Sequence, residues 1–332
     1  MLDTGWLSWL EYKRFQDEEF SGNYHLDLLP EVKKIVPSLK ILHHFTILNH
    51  GRLQSLEICH SRDICVFGDS LNGVTLYDVR TQNTSYLTGF PGNIFDVTFG
   101  KNNQLIGISN EGLFSTHSGE ANTSWQKVYQ TPYKTQISSI SYHPKSHHII
   151  AGDEQGSIYF VPEGDWSKIE IFEKFHRGEI GCSTITPDGK WAVFGSDDGV
   201  ISVWDLEQWK QVNHFYHPGV RDGLVLEKLL FLVGEEQYTL YEFPSFTLKW
   251  ETSGQPTPYP LMDIAPNQQY CLVSLSKGLH LFDFANGQEL ANYHSRPFLC
   301  VSRFLYDNRI VALYGQKEFI ILETNDLKPL SS

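Results

Sequence analysis

The sequence has few of the residues that fix a fold by covalent or metal chemistry. It contains 5 cysteines among 332 residues, and no two of them are spaced as CxxC. An odd number of scattered cysteines indicates neither a disulfide framework nor a zinc knuckle, and no P-loop or GxGxxG motif is present. The cysteines lie in apolar runs, so we expect small core residues in a reducing cytoplasm, with no metal or cofactor.

The chain also lacks a long apolar run and an excess of positive charge. No stretch approaches the roughly 18 apolar residues of a membrane span, and the start MLDTGWLSWLEYKRF does not have the pattern of a signal peptide. Lys and Arg total 26 against 39 Asp and Glu, a formal net charge of -13. Such a charge repels nucleic acid and anionic lipid, so we expect neither as a partner. The oligomeric state is not indicated.

Short strand-like runs recur through most of the chain. From about residue 39 onward, segments rich in Val, Ile, Phe and Tyr alternate with Gly, Asp, Asn and Pro, a pattern typical of strands and tight turns. Weaker runs between 94 and 130 supply one further unit, which makes seven units of about 41 residues. The six clearer units carry an apolar residue at an equivalent position of one strand: Tyr77, Phe160, Trp204, Tyr241, Phe282 and Leu322.

The fourth unit contains the segment GSDDGVISVWDLEQW, residues 195–209. Ser196 and Asp198 of this segment, together with the upstream His176, allow two interpretations. They are either a catalytic nucleophile with its base and orienting acid, or a structural hydrogen-bond network. The period and the Trp-Asp ending resemble the WD40 repeat family, most closely in this unit. That resemblance implies a chain of hydrogen bonds in which Trp204 donates to Ser196, Ser196 bonds His176, and Asp198 holds His176. A serine engaged in this way is not free to attack a substrate, and GSDDG is not the GxSxG of a nucleophile elbow.

The other units match this pattern less well. The second and third units lack the histidine, and His217 of the fifth is followed by Glu235 at a spacing shorter than that from His176 to Asp198. A propeller family whose repeats lack the network therefore stays an alternative.

The repeats predict an all-β fold, a seven-bladed β-propeller of four-stranded antiparallel blades over residues 39–332. Residues 39–48 are expected to pair with 319–323 and so close the last blade, because an open ring would expose unpaired strand edges. The tail LKPLSS is the alternative fourth strand. Residues 1–38 are predicted to form a short N-terminal helical arm that either packs on the propeller or docks a partner.

The loops that lead into the repeats open onto one face and are predicted to dock a protein or peptide partner. Arg and aromatic residues dominate interface energy, and these loops carry several of them. The chain is then a non-enzymatic scaffold with a WD40-like docking face. The candidate contact residues are Arg52, Pro91, Tyr133, Arg177, Glu179, Arg221, Tyr259, Arg296 and Phe298.

The alternative function is a hydrolase or lactonase-like enzyme with a metal or carboxylate site at the central mouth of the propeller. The paired acids of this hypothesis fall in turns, where solvated carboxylates are common. The histidines of SYHPKSHH would bind one ion only if their loop folded back on itself. The candidates are Glu235, Glu236, Asp153, Glu154, His143, His147 and His148.

Overall fold

The computed structural model of this chain shows a propeller built almost entirely of strands. The predicted arm 1–38 lies outside the described part. Four short 3-10 turns interrupt the strands: Lys101–Asn103, Pro132–Lys134, Pro162–Gly164 and Trp166–Lys168. The residues that the structure describes are 39–46, 53–59, 64–118, 120, 123–226, 228–234, 237–253, 261–275, 278–294, 299–305, 307, 309–314 and 318–324.

Seven four-stranded antiparallel sheets form the blades. Blades one and two consist of β2 (Leu53–Cys59), β3 (Ile64–Asp69), β4 (Val74–Asp78), β5 (Thr84–Leu87), β6 (Ile94–Phe99), β7 (Leu105–Ser109), β8 (Leu113–His117) and β9 (Gln126–Gln130). Blades three and four consist of β10 (Ile137–Tyr142), β11 (Ile149–Asp153), β12 (Ile158–Val161), β13 (Glu170–Phe172), β14 (Ile180–Ile185), β15 (Trp191–Ser196), β16 (Val200–Asp205) and β17 (Lys210–Tyr216).

The remaining three blades complete the ring. Blades five and six consist of β18 (Val220–Val225), β19 (Leu229–Gly234), β20 (Gln237–Glu242), β21 (Leu248–Ser253), β22 (Leu261–Ile264), β23 (Tyr270–Leu275), β24 (Gly278–Asp283) and β25 (Glu289–His294). Blade seven consists of β26 (Leu299–Phe304), β27 (Ile310–Tyr314), β28 (Glu318–Thr324) and β1 (Leu39–Thr46). The fold class predicted from the repeats, seven four-stranded antiparallel blades, is confirmed.

The strand nearest the N-terminus of the described chain lies in the last blade. β1 pairs antiparallel with β28, from Leu39 opposite Thr324 to Thr46 opposite Glu318. The sequence placed 39–48 beside 319–323, and the paired residues of the structure overlap both ranges. The tail LKPLSS, the alternative fourth strand, lies outside the described residues. Because the first and last described strands, β1 and β28, pair in one sheet, opening the ring there would break all the hydrogen bonds between them.

The first strand of each blade lines the axis of the propeller. Each of these seven strands contacts the first strand of the next blade, and β26 contacts β2 to complete the circle. Since the strands are antiparallel, the loop into each first strand and the turn between the second and third strands lie at the same end. We call this end the upper face and the opposite end the lower face.

The blades pack face to face through apolar side chains. Phe67, Tyr77 and Phe319 join blades one and seven, with the rings of Phe67 and Phe319 stacked at 4.8 Å. Small residues permit this approach: a Cβ added at Gly152 would lie 2.2 Å from Ile180 of the next blade, so a larger side chain there would push the blades apart. The four cysteines whose side chains are described are buried. No helix in the described part is long and apolar enough to cross a membrane.

Candidate functional site

A buried chain of hydrogen bonds joins one strand, a loop and a turn of the fourth blade. The Trp204 indole N–H donates to Ser202 Oγ at 3.2 Å, and Ser202 Oγ lies 2.8 Å from His176 Nε2. His176 Nδ1 lies 3.5 Å from Asp198 Oδ2. Because the side chains of His176, Ser202 and Trp204 are at most 3% exposed, these groups satisfy one another without water.

The serine of this network is Ser202, and the prediction that Ser196 fills this position was wrong. Ser202 lies two residues before Trp204 on the same strand and so on the same face of the blade. Ser196 ends β15, where its hydroxyl donates to the Gly178 carbonyl at 3.1 Å and accepts from the Asp198 amide at 3.2 Å. Ser196 therefore holds the turn, and the adjacent strand supplies the hydroxyl that His176 needs.

The network fixes the protonation of His176. Asp198 is a carboxylate and can only accept, so the ring hydrogen of the neutral imidazole lies on Nδ1. His176 Nε2 therefore accepts from the Ser202 hydroxyl, whose oxygen accepts from the Trp204 indole N–H. Burial lowers the pKa of His176, although Asp198 partly opposes this. Burial would raise the pKa of Asp198, but the amides of Arg177 and Val200 outweigh it and lower that pKa. The pair is thus a neutral imidazole beside a carboxylate.

In blades one and three, an aspartate and a tyrosine stabilise the turn between the second and third strands. Asp69 and Asp153 end the second strands of their blades and are buried. Asp153 accepts from the amides of Gln155 and Ser157 at 2.9 and 2.8 Å and from the Tyr159 hydroxyl at 2.7 Å. Asp69 accepts in the same way from two turn amides and from Tyr86 at 2.9 Å. In blade three the described loop contains no histidine, so Asp153 and Tyr159 stabilise the turn without one.

Blade five contains part of the histidine network. His217 Nε2 lies 3.0 Å from Thr239 Oγ1, and Thr239 stands two residues before Tyr241 as Ser202 stands before Trp204. Among the described residues no partner lies within hydrogen-bond distance of His217 Nδ1. Glu235, the residue that the sequence placed opposite this histidine, lies outside them. Burial lowers the pKa of His217 to about 4, so the ring is neutral at physiological pH.

The predicted docking residues that the structure describes lie on the upper face. Tyr133, in the loop from blade two to blade three, is 91% exposed, and Arg177 is also exposed. Arg221 is brought to Glu179 and to Asp197, with its Nη1 3.8 Å from Glu179 Oε2 and 2.7 Å from Asp197 Oδ2. Asp197 was not predicted, although its place in the turn of GSDDG puts it on this face. Arg52, Tyr259, Arg296 and Phe298 lie outside the described residues.

Exposed apolar side chains concentrate on the same face. Among the described residues, six large hydrophobic side chains are exposed. Leu71 lies in the turn between the second and third strands of blade one, Tyr133 and Phe175 lie in loops into blades three and four, and Tyr216 ends β17. These four belong to the upper face, so apolar surface is left open where the loops converge.

A group of charged side chains lines the axial channel below this face, and the sequence analysis did not identify it. Arg303 Nη1 donates to the carbonyls of Met262 and Ser302. Burial raises the pKa of Asp96 to about 7 and that of Asp222 to about 6. In the sequence, these residues are indicated only by an acidic residue inside an otherwise apolar strand, such as Asp96 in IFDVTF. The charged residues of this group are Glu57, Asp96, Asp222, Asp263 and Arg303.

The acids of the channel connect neighbouring blades. Asp222 Oδ2 accepts from the Met262 amide of the next blade at 2.9 Å, and Asp263 Oδ2 accepts from the Phe304 amide at 2.7 Å. Each of these carboxylates is therefore engaged by the backbone of an adjacent first strand. These hydrogen bonds connect the first strands of blades five, six and seven.

A family model described as "WD domain, G-beta repeat" matches residues 167–205, which include the loop and the first three strands of blade four. This segment contains His176, Asp198, Ser202 and Trp204. Blade four of this β-propeller is a WD40 repeat.

Known proteins similar to this propeller match only part of it. "Serine-threonine kinase receptor-associated protein" of Dictyostelium discoideum is 28% identical over 44% of this chain and 48% of its own length. Its counterpart in Homo sapiens is 25% identical over 40% of this chain and 36% of its own length. "Angio-associated migratory cell protein" of Homo sapiens is 30% identical over 26% of this chain and 21% of its own. The matched segments thus span less than half the length of these relatives.

A solved structure shares the whole architecture. A chain of "Crystal Structure of Mitotic Checkpoint Complex" superposes with a TM-score of 0.74 at 12% identity, covering 92% of this chain and 100% of that chain. At this identity the likeness shows the fold alone.

Of the acids and histidines named for an enzyme, those that the structure describes do not converge on one metal site. Asp153 is held by two turn amides and Tyr159, while His143 bonds Ser146 at 2.8 Å and the Pro187 carbonyl at 3.0 Å on the lower face. His147 instead bonds Tyr142 at 2.6 Å. Within the described ranges, no three His, Cys, Asp or Glu side chains are grouped to hold a metal ion. Glu235 and Glu236 lie outside those ranges.

Proposed function

We propose that this propeller is a non-catalytic scaffold that docks a protein or peptide partner on its upper face. The observation that carries the proposal is the exposure of Tyr133, 91%, in a loop between blades, accompanied on the same face by Tyr216 at 71%. Aromatic side chains lose water and little conformational entropy on binding, and they are enriched at interface hot spots. An exposed pair on a rigid ring therefore suits recognition.

The alternative considered from the sequence, a serine that acts as a catalytic nucleophile, is less well supported than the scaffold. Ser202 is fully buried between Trp204 and His176, and Ser196 is committed to the turn. A nucleophile must reach a substrate beside an oxyanion hole, which neither hydroxyl does. The four residues of blade four are proposed to stabilise the blade that presents the docking loops.

The names of two matched relatives agree with a role in protein association. They are called receptor-associated for a serine-threonine kinase receptor, in Dictyostelium discoideum and in Homo sapiens. For this chain the comparison supports a protein partner as a class.

The proposal is tested with the double variant Tyr133→Ser/Tyr216→Ser and a matched control, Leu248→Ser. Leu248 is 52% exposed but begins β21 at the lower face. Each chain is used to capture proteins from native extract, and the captured proteins are quantified by mass spectrometry. We expect the double variant to lose a set of proteins that the wild type and the control retain. Identical capture by all three chains, or equal loss in the control, would contradict docking on the upper face.

A further inference from the structure

Acidic side chains lie beside the exposed apolar residues of the upper face. Glu154 lies in the turn after β11, Glu179 precedes β14, and Asp197 and Asp198 follow β15. The Asp197 amide donates to the Glu179 carbonyl at 3.0 Å, which joins the last two segments. We call Glu154, Glu179, Asp197 and Asp198 the acidic rim. It adjoins the loop of Phe175, which is 39% exposed, so apolar and acidic surface meet over blades three to five.

Two arginines lie beside the acidic rim in the part of the chain that the structure describes. Arg221 Nη1 lies 2.7 Å from Asp197 Oδ2 but 3.8 Å from Glu179 Oε2, so its charge chiefly serves Asp197. Arg177 is exposed at the edge of the same loop. Among the described residues, Glu154, Glu179 and Asp197 thus share Arg221 and Arg177, since Asp198 is engaged by two backbone amides and by His176. The local potential is negative, in keeping with the charge of -13 for the whole chain.

Glu179 shows the effect of this imbalance. Burial, reinforced by Asp197 and Glu154 and opposed by Arg221, raises the pKa of Glu179 to about 7. Its side chain is nevertheless 28% exposed, so an incoming group has access to it. A second cation next to Glu179 would favour the ionised carboxylate, since charge pairs at partly desolvated positions interact more strongly than in water.

We propose that the upper face binds a partner segment through a lysine or arginine side chain placed among Glu154, Glu179 and Asp197, with an apolar neighbour of that residue on Phe175 or Tyr133. This inference rests on the proposed function and adds the chemistry of the partner. The occupant is a basic protein segment, and the acidic excess of the rim supports this choice because complementary charges steer association and select partners.

The geometry also gives the direction of a pH effect. Below its raised pKa, Glu179 is protonated in the free protein and offers no charge to the partner. As the pH rises through about 7 the carboxylate ionises, so affinity for a basic segment increases. Asp197, Arg221 and Glu154 are the charged groups that set this pKa. Replacing Glu179 with glutamine removes its titration and should flatten the profile.

The first experiment selects binding sequences from a random peptide display library against the full chain. The expected result is enrichment of Lys or Arg next to an apolar residue. Enrichment of Asp and Glu, or no enrichment of Lys and Arg, would overturn the inference.

The second experiment measures the affinity of the most enriched basic peptide by fluorescence anisotropy from acidic to alkaline pH. We expect Glu179→Gln to weaken binding by about tenfold at alkaline pH and to flatten its pH dependence. The control is Glu207→Gln, an exposed acid after Asp205 on the lower face of the same blade. Equal affinities for wild type and Glu179→Gln, or equal weakening in the control, would overturn the inference.

The two proposals fail in distinguishable ways. If the proteins captured from extract depend on Tyr133 and Tyr216 but not on Glu179, docking on the upper face stands and the basic partner is wrong. If capture is indifferent to all three residues, the proposed function itself fails.

Discussion

Blades four and three stabilise the turn between their second and third strands through different hydrogen bonds. In blade four a neutral His176 links Ser202 to Asp198 and so joins a loop, a strand and a turn. In blade three Asp153 gathers two turn amides and the Tyr159 hydroxyl directly. Both solutions satisfy the buried polar groups of one turn. A repeat can therefore lose its histidine and keep its geometry, which explains why most repeats match the family pattern poorly while all seven blades form.

The largest effect is expected at the turn of blade three. Asp153→Ala leaves the Tyr159 hydroxyl and two turn amides without their acceptor, and we expect the free energy of unfolding to fall by about 3–5 kcal/mol. Chemical denaturation of the purified chain measures this change. The control Asp165→Ala removes an exposed acid that bonds Ser167, so it should reduce the free energy of unfolding far less than Asp153→Ala does. Equal losses of unfolding free energy in the two variants would contradict the role of Asp153 in stabilising the turn of blade three.

A smaller effect is expected in blade four, where a double-mutant cycle separates the two serines. His176→Ala and Ser202→Ala should each reduce the free energy of unfolding by about 1–3 kcal/mol, because each leaves a buried partner unpaired. Since His176 and Ser202 share a hydrogen bond, their combined effect should differ from the sum by about 1 kcal/mol.

Ser196→Ala supplies the comparison for this cycle. Ser196 bonds Gly178 and Asp198, so its loss should combine with that of His176 more nearly additively. Stronger coupling of His176 to Ser196 than to Ser202 would return the network to the arrangement expected from the sequence.

The smallest effect is a change in acid sensitivity at blade five. The folded pKa of His217, about 4, lies below its unfolded value of about 6.5, so the unfolded chain binds more protons between these values. His217 therefore makes the chain less stable as the pH falls through this window. Compared with wild type, His217→Gln should lose less of its melting temperature between pH 7 and pH 5, by a few °C. Parallel curves for the two chains would show that His217 is not buried as a neutral ring.

Wild type and His217→Gln must be compared at each pH, because other groups change the stability of both chains in the opposite direction. Burial raises the pKa values of Asp96 and Asp222, so the folded chain holds their protons at a higher pH than the unfolded chain does. Their ionisation therefore destabilises the fold as the pH rises. The difference between wild type and His217→Gln cancels this contribution.

The architecture was predictable because it rests on local patterns. Strand-turn-strand runs with Phe160, Trp204 and Tyr241 at equivalent positions repeat at similar spacings, and such a period suffices to give the number of blades. The location of Tyr133 and Glu179 in loops on one face followed from the same pattern. The choice between Ser196 and Ser202 did not, since both lie within reach of His176 along the chain and only the strand register decides between them.

The charged channel was not predictable for a related reason. Asp96, Asp222 and Arg303 are far apart in sequence and belong to different repeats. Each appears in its own segment as an isolated polar residue within a strand. They meet only because seven first strands converge on one axis.

The sequence by itself determined the class of fold, the number of repeats and the end of each blade at which the loops gather, because these depend on alternation of side chains and on turn residues within about 41 positions. The tertiary structure alone decided which hydroxyl His176 contacts, that tyrosines donate to Asp69 and Asp153 in blades one and three, and how Glu179 meets Asp197 and Arg221. These contacts depend on strand register and on the packing of one blade against the next, and neither is written in any single repeat.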